Sequence, residues 1–246
     1  MEKTYDYDFI VTAADCNAQR ELSMSTLATY IIDTATGHAN DLGVGFDKMI
    51  SLGISWVLSR VSVELSRPAR VGGRYRLRTW VASLNRLFSE RNFSLTDLTT
   101  GEIIGYARTV WMAIDMESRT PGDLSSLQPL AEAITDLPCP IAPQGKIIMP
   151  ELGEDAHEYT FAVSDIDVNR HVTTRRYCDL ITDCWPLDMY EKNHVKRFDI
   201  AFKHEAHYGE TARYGCAAEP GEGVYAARID SGDHLCTLAR LVFTPR

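Results

Sequence analysis

Two stretches of the chain carry apolar residues at helical spacing, and each is followed by a series of alternating or β-branched segments. Leu27, Tyr30, Ile31, Thr34, Ala35 and His38 recur at intervals of three and four, which places them on one face of an amphipathic helix. Thr174, Tyr177, Leu180, Ile181 and Cys184 repeat the pattern, and Pro186 stops it. A strand is predicted before each helix, over residues 8–14 and 158–164. Strands over 56–65, 75–83, 89–97 and 103–115 follow the first helix; strands over 197–204, 212–219, 223–229 and 235–243 follow the second. Gly72-Gly73, Thr100-Gly101, Pro220 to Gly223 and Ser231-Gly232 mark the turns between them. This order predicts an α+β fold in which each half wraps an antiparallel sheet about one long helix.

The halves echo one another. Val11, Asp15 and Asn17 reappear as Val163, Asp167 and Asn169, 152 residues on. Ala69 and Gly72 match Ala206 and Gly209, and Ala107-Arg-Thr-Val-Trp111 matches Ala239-Arg-Leu-Val-Phe243. Three echoes in one order indicate a duplication with shorter loops in the second copy. The expected units are residues 1–118 and 157–246. Between them lies a linker, 119–156, that holds six of the ten prolines and is expected to run across the surface.

Candidate chemistry concentrates in Asp165-Ile-Asp-Val-Asn-Arg-His171. In an extended strand the alternating Asp167, Asn169 and His171 would share a face. A carboxylate, an amide and an imidazole together suit hydrolysis. Copy one repeats the Asp and Asn without a His, and has Pro68 where the second copy has Glu205.

Asp167-Val-Asn-Arg-His171-Val172, with Tyr177 six residues after His171, resembles the second-repeat motif of the acyl-acyl carrier protein thioesterases, a plant and bacterial family. That pattern is close to Asp-x-Asn-x-His-Val-Asn-Asn-x-x-Tyr; this chain departs from it at Thr173 and Thr174. Lys203-His204-Glu205-Ala206 is similar to the family's Arg-Glu-Cys element, with Glu205 kept and Ala206 in place of the Cys. Trp56 and Arg60 match its Trp-x-x-x-Arg strand. The resemblance implies two tandem hotdog folds that hydrolyse fatty acyl-carrier protein and release the fatty acid. Catalysis would rest on Glu205 and His171 acting on one water, Asn169 placing water or carbonyl, and Asp167 orienting the site. Copy one would bind the acyl chain along Leu27, Tyr30, Ile31, Trp56 and Leu58.

Neutral water is a poor nucleophile, so a positioned base is required, while a thiolate leaves readily. The amide of Asn169 and the first N–H groups of the second helix can meet developing negative charge. Attack by the Glu205 carboxylate, or by a cysteine such as Cys178, is the alternative; a cysteine at the family's own position is excluded by Ala206. An acyl-CoA thioesterase, a 3-hydroxyacyl dehydratase and a non-catalytic acyl-binding hotdog protein also stay open.

A net charge of −9 argues against a general nucleic-acid binder. It would also repel an acidic carrier protein, so docking is expected on a local basic cluster of Arg170, Arg175, Arg176, Lys192, Lys196 and Arg197. His-Glu-x-x-His is absent, and His204-Glu-Ala-His207 is one residue short of it, so neither a metal nor another cofactor is expected. The six cysteines form no CxxC pair, and no apolar leader or 18-residue apolar run occurs. These features predict a cytoplasmic protein without membrane insertion; the resemblance implies a bacterial one, and its tandem fold, which already supplies the hotdog pair, a monomer or homodimer.

Overall fold

The computed structural model describes residues 2–149 and 151–246; Pro150 of the linker lies outside them. Helix α1 (Met24–Asp41) starts where the Ser23 hydroxyl accepts the N–H of Thr26 at 3.2 Å. It buries the predicted face: Leu27, Ile31, Thr34, Ala35 and His38. Two short helices, α2 (Phe46–Ser51) and α3 (Gln128–Glu132), went unpredicted. Helix α4 (Thr174–Thr182) is capped by Thr173 as α1 is by Ser23, and buries Tyr177, Cys178, Leu180 and Ile181. A third short helix, α5 (Leu187–Lys192), follows Pro186.

Among the described residues, ten strands form one antiparallel sheet. The first half supplies β1 (Thr4–Ile10), β2 (Ile54–Leu65), β3 (Arg74–Leu84), β4 (Phe88–Asp97) and β5 (Ile103–Asp115). The second supplies β6 (His157–Thr160), β7 (Asn193–Phe202), β8 (Thr211–Ala218), β9 (Val224–Ser231) and β10 (His234–Pro245). Their order is β1-β3-β4-β5-β2-β7-β10-β9-β8-β6. Read outward from the β2–β7 seam, the two halves have the same order, as a duplication requires. Arg60 to Glu64 pair with Ala201 to Arg197 across that seam. Leu27 and Ile31 of α1 and Leu180 and Ile181 of α4 share one core with Val61, Phe198, Ile200 and Leu241 of the sheet. Fully burying such side chains stabilises the fold by about 1.5–3 kcal/mol each. This is the expected pair of tandem hotdog folds.

Strand ends differ from expectation near the motif. β1 and β6 stop at Ile10 and Thr160, earlier than predicted, and the chain turns into short 3-10 segments at Ala13–Asp15 and Val163–Asp165. The cause is local. Asp15 and Asp165 each turn a carboxylate back onto the N–H three residues earlier, at 2.7 and 2.8 Å. β7 likewise ends at Phe202, so Glu205 sits on the loop beyond the strand.

The inter-repeat segment is partly embedded. Leu124, Leu127, Leu130 and Ala133 join Leu42, Val44 and Met49 in a second, smaller core. The rest crosses the sheet. Arg108 of β5 donates to the carbonyls of Cys139 and Ile141, Arg197 of β7 to Ala142, and Arg240 of β10 to Lys146. Ala107, Phe198 and Ala239, adjacent to these arginines in sequence, are buried in the helix-covered core. Strand alternation therefore puts the linker on the opposite face.

Candidate active site

The motif residues lie on a tight turn, not on a strand. Asp167 Oδ1 accepts the backbone N–H groups of Asn169 at 2.8 Å and His171 at 3.1 Å. Its own N–H donates to the carbonyl of His171 at 2.8 Å. Arg170 takes a left-handed φ of 68° to complete the turn. The shared strand face expected for Asp167, Asn169 and His171 is thus corrected. An aspartate that bonds its own backbone breaks the alternation, and the turn folds back so that the Asp167 carboxylate meets the backbone of Asn169 and His171 and the Asn169 amide.

The register between the copies is corrected as well. In the first half, Asn17 Oδ1 accepts the N–H groups of Gln19 and Glu21, both at 3.0 Å, and Arg20 takes a φ of 62°. The equivalent of Asp167 is therefore Asn17, 150 residues apart, and not Asp15, whose equivalent is Asp165. Gln19 stands opposite Asn169, and Glu21 opposite His171. Asp-x-Asn matched Asp-x-Asn in sequence, but Asn and Asp are equally good turn acceptors, so letter identity misled by two residues.

His171 and Glu205 meet across the site, with Nδ1 3.2 Å from Oε2. Two contacts bring them together. The N–H of Val172 donates to the carbonyl of Ala206 at 2.9 Å, and the N–H of Ala206 donates to the buried hydroxyl of Tyr177 at 3.0 Å. Tyr177 thus fastens the Glu205 loop to α4; burial pushes its phenol far above the usual range. His171 is half-buried and Glu205 exposed, so water can reach both. Asn169 is exposed, its Nδ2 3.4 Å from Asp167 Oδ2.

Sequence reasoning missed Arg119. Its guanidinium pairs with Glu205 Oε1, on the side away from His171. Arg119 follows β5 in a turn held by Asp115, at a φ of 57°. β2 and β5 extend past the end of β7, which carries this turn to the Glu205 loop. No sequence signal relates positions 119 and 205; only the β2–β7 seam does. His207 also arrives here, its ring 5.2 Å from that of His171. His171, Glu205 and His207 each place a ligand-type atom within 4.8 Å of the others. His-Glu-x-x-His spacing could not reveal this, because His171 comes from another loop.

The remaining predicted residues are dispersed. Leu27 and Ile31 are sealed in the main core, Trp56 donates to the carbonyl of Val44 at 2.9 Å beside the smaller core, and Leu58 packs on the main one. Tyr30 packs against Phe9 with the rings tilted by 56° and their centroids 4.7 Å apart. A cavity of about 320 Å³ opens between the start of α1 and the end of α4, beside Met24, Trp185 and Tyr190; none of the five residues lines it. A shallow groove of about 700 Å³ runs along residues 160–164, Tyr208 and Gly209. Arg176 turns inward onto buried Asp165 at 2.6 Å and over the Tyr159 ring, while Arg175 is exposed. Arg197 is spent on Glu64 and Asp199, and Lys192 on Asp188. Cys178 is wholly buried in the core, and burial holds its thiol far above the ordinary range, which rules it out as a thiolate nucleophile.

Residues 2–126 match the family model of the acyl-ACP thioesterase N-terminal domain, and residues 151–237 that of the C-terminal domain. A chloroplastic palmitoyl-acyl carrier protein thioesterase of Cuphea hookeriana is 22% identical over 90% of this chain, and oleoyl-acyl carrier protein thioesterase 2 of Arabidopsis thaliana 23% over 83%. The chain spans 56% and 61% of those relatives' length. An acyl-ACP thioesterase structure from Bacteroides thetaiotaomicron superposes with a TM-score of 0.91 at 29% identity, covering 98% of both chains. The 12:0-ACP thioesterase of Umbellularia californica shares the fold, with a TM-score of 0.88 at 18% identity over 100% of this chain and 99% of its own. Matched along both halves by these family models, the chain belongs to the acyl-ACP thioesterase family.

Proposed function

We propose that this chain hydrolyses the thioester of a fatty acyl-acyl carrier protein and releases the free fatty acid. The observation that carries the reading is the His171–Glu205 pair, 3.2 Å apart, beside the Asp167-braced turn. Nδ1 of His171 faces the Glu205 carboxylate at 3.2 Å; in this mechanism it carries the ring proton there and leaves Nε2 as the base. A water held by His171 Nε2 and Asn169 gives up a proton to the imidazole as its oxygen bonds the thioester carbon. Asn169 Nδ2 is the amide donor to the resulting oxyanion. Loss of one such donor typically raises the barrier by about 3–4 kcal/mol. The C–S bond then breaks, and the imidazolium returns its proton to the departing thiolate. Direct attack by Glu205 is disfavoured, because one carboxylate oxygen faces His171 and the other Arg119.

In this reading the acyl chain runs along α1, at Leu27, Tyr30, Ile31, Trp56 and Leu58, with the first half binding and the second reacting. Ile31 is fully buried, so Ile31→Ala would open space beside α1; each CH₂ accommodated is worth about 0.8 kcal/mol, and the preferred chain should shift longer. The acidic carrier meets Arg170 and Arg175, which are exposed and, among the described residues, lack ion-pair partners. The chain divides into a binding repeat (1–118), a linker (119–156) and a reacting repeat (157–246). No helix among the described residues is long and apolar enough to cross a membrane. All six cysteines are free, which supports a reducing compartment such as a bacterial cytoplasm. Because one chain assembles the whole pair, a monomer suffices.

The test is hydrolysis of carrier-protein and CoA thioesters of graded chain length by wild type, His171→Ala and Glu205→Ala. Undiminished activity in both variants would remove the site assignment. Faster turnover of CoA thioesters would reassign the carrier.

A further inference from the structure

We infer that His171, Glu205 and His207 form a Zn²⁺ site whose occupancy switches the hydrolase off. The inhibitory part rests on the proposed use of His171 as base; the site itself does not. The donor set, two imidazoles and one carboxylate, is one that Zn²⁺ takes readily. In a tetrahedral site with bonds of ~2.0–2.1 Å, ligand atoms stand ~3.3 Å apart. His171 Nδ1 and Glu205 Oε2 are already 3.2 Å apart. All three donors lie within 4.8 Å of one another, and His207 is exposed, so its ring can close the remaining gap.

A carboxylate stands behind His207. Its Nδ1 is 3.1 Å from Glu210 Oε1, and the other oxygen of Glu210 accepts the Ser231 hydroxyl at 2.7 Å. A carboxylate on one ring nitrogen fixes the tautomer and leaves Nε2 as the ligand, the usual support behind a metal-bound histidine. Arg119 uses the far oxygen of Glu205 and leaves Oε2 to the metal. Coordination replaces the direct His171–Glu205 contact with two bonds to the cation, and the proton on His171 Nδ1 is released to solvent or moves to Nε2. The imidazole then no longer has Glu205 to hold it for catalysis, and activity stops.

The experiment titrates the whole chain with ZnCl₂ by calorimetry and with CoCl₂ by visible absorption, alongside the His207→Ala and Glu210→Gln variants. The expected result is one site in wild type with an intense tetrahedral Co²⁺ band, at least tenfold weaker binding in His207→Ala, and weakening of about 10–100-fold in Glu210→Gln. Zinc should abolish hydrolysis in wild type and spare His207→Ala at the same concentration. No heat and no band in wild type, or equal binding in His207→Ala, overturns the site. Binding without loss of hydrolysis overturns the switch. Should no thioester be hydrolysed by any form, the proposed function fails while the metal titrations still decide the site.

Discussion

Asn17 and Asp167, one in each half, brace the same turn: each side-chain Oδ1 accepts the backbone N–H groups two and four residues ahead. What this position requires is an acceptor, not a charge. Asp167→Asn should therefore fold with a stability within about 0.5 kcal/mol of wild type, whereas Asp167→Ala should lose about 1–2 kcal/mol. Urea unfolding measures both. Equal destabilisation by the two substitutions would show that the charge matters instead. Asp167→Asn should still slow turnover, because its amide no longer accepts from Asn169 Nδ2.

His171→Ala removes the base and should lower kcat by about 10²–10⁴-fold, with little change in KM. Glu205→Gln keeps the shape and removes the charge, and its fall in kcat should be smaller than that of His171→Ala. Steady-state kinetics on one acyl-carrier substrate compare them. A larger loss in Glu205→Gln would make the carboxylate the principal base.

Arg119 holds Glu205 from across the repeat boundary. An exposed pair of this kind is worth about 1 kcal/mol or less, so Arg119→Gln should leave stability nearly unchanged. Its effect should fall on kcat, reduced about fivefold as Glu205 loses its orientation. An unchanged kcat would mean that His171 and the loop alone fix the carboxylate.

Arg175 and Arg176 are neighbours with opposite expectations. Arg176→Ala strands the buried Asp165 carboxylate and should destabilise the fold by about 3 kcal/mol. Burial alone would raise the Asp165 pKa, but the Ala162 N–H, Arg176 and the Tyr159 hydroxyl outweigh it and hold it below 3.8. That stabilisation is present above 3.8 and is lost as pH falls through the lower folded value, so the variant should lose its acid-limb contribution. Arg175→Glu should leave unfolding unchanged and raise KM for carrier-bound substrate but not for the CoA thioester. A KM unaffected for both removes Arg175 from the docking surface.

His38 gives the stability a second pH dependence. Burial, then the Arg91 guanidinium 2.8 Å away, push its pKa down from 6.5 to about 4. A histidine kept neutral in the fold and protonated when unfolded contributes fully above pH 6.5 and progressively less down to about 4. His38→Gln should flatten that limb in urea titrations run across the window. An unaltered limb would assign the acid sensitivity elsewhere.

The helices, the strand series and the duplication were legible because periodicity reports burial, and burial here follows a regular sheet and two amphipathic helices. His171, Glu205 and Tyr177 were legible through their motif. The turn was not, since its geometry comes from a side chain bonding its own backbone, which alternation does not encode. Arg119 and His207 were invisible for another reason: their proximity to Glu205 and His171 comes from the seam and from loop return, and no local spacing records either. Leu27 and Ile31 read equally as core or as chain-binding, because both uses need the same apolar face.

Between residues 136 and 149 the linker reaches the sheet through backbone carbonyls that accept from Arg108, Arg197 and Arg240, and among the described residues it contributes no strand to the sheet. Its main contribution is concentration. By tethering the halves it turns the meeting of β2 and β7 from a bimolecular event into an internal one, at an effective concentration on the order of millimolar. A chain opened between residues 136 and 149 would keep every strand pairing, and its two fragments would behave as a heterodimer whose activity depends on dilution.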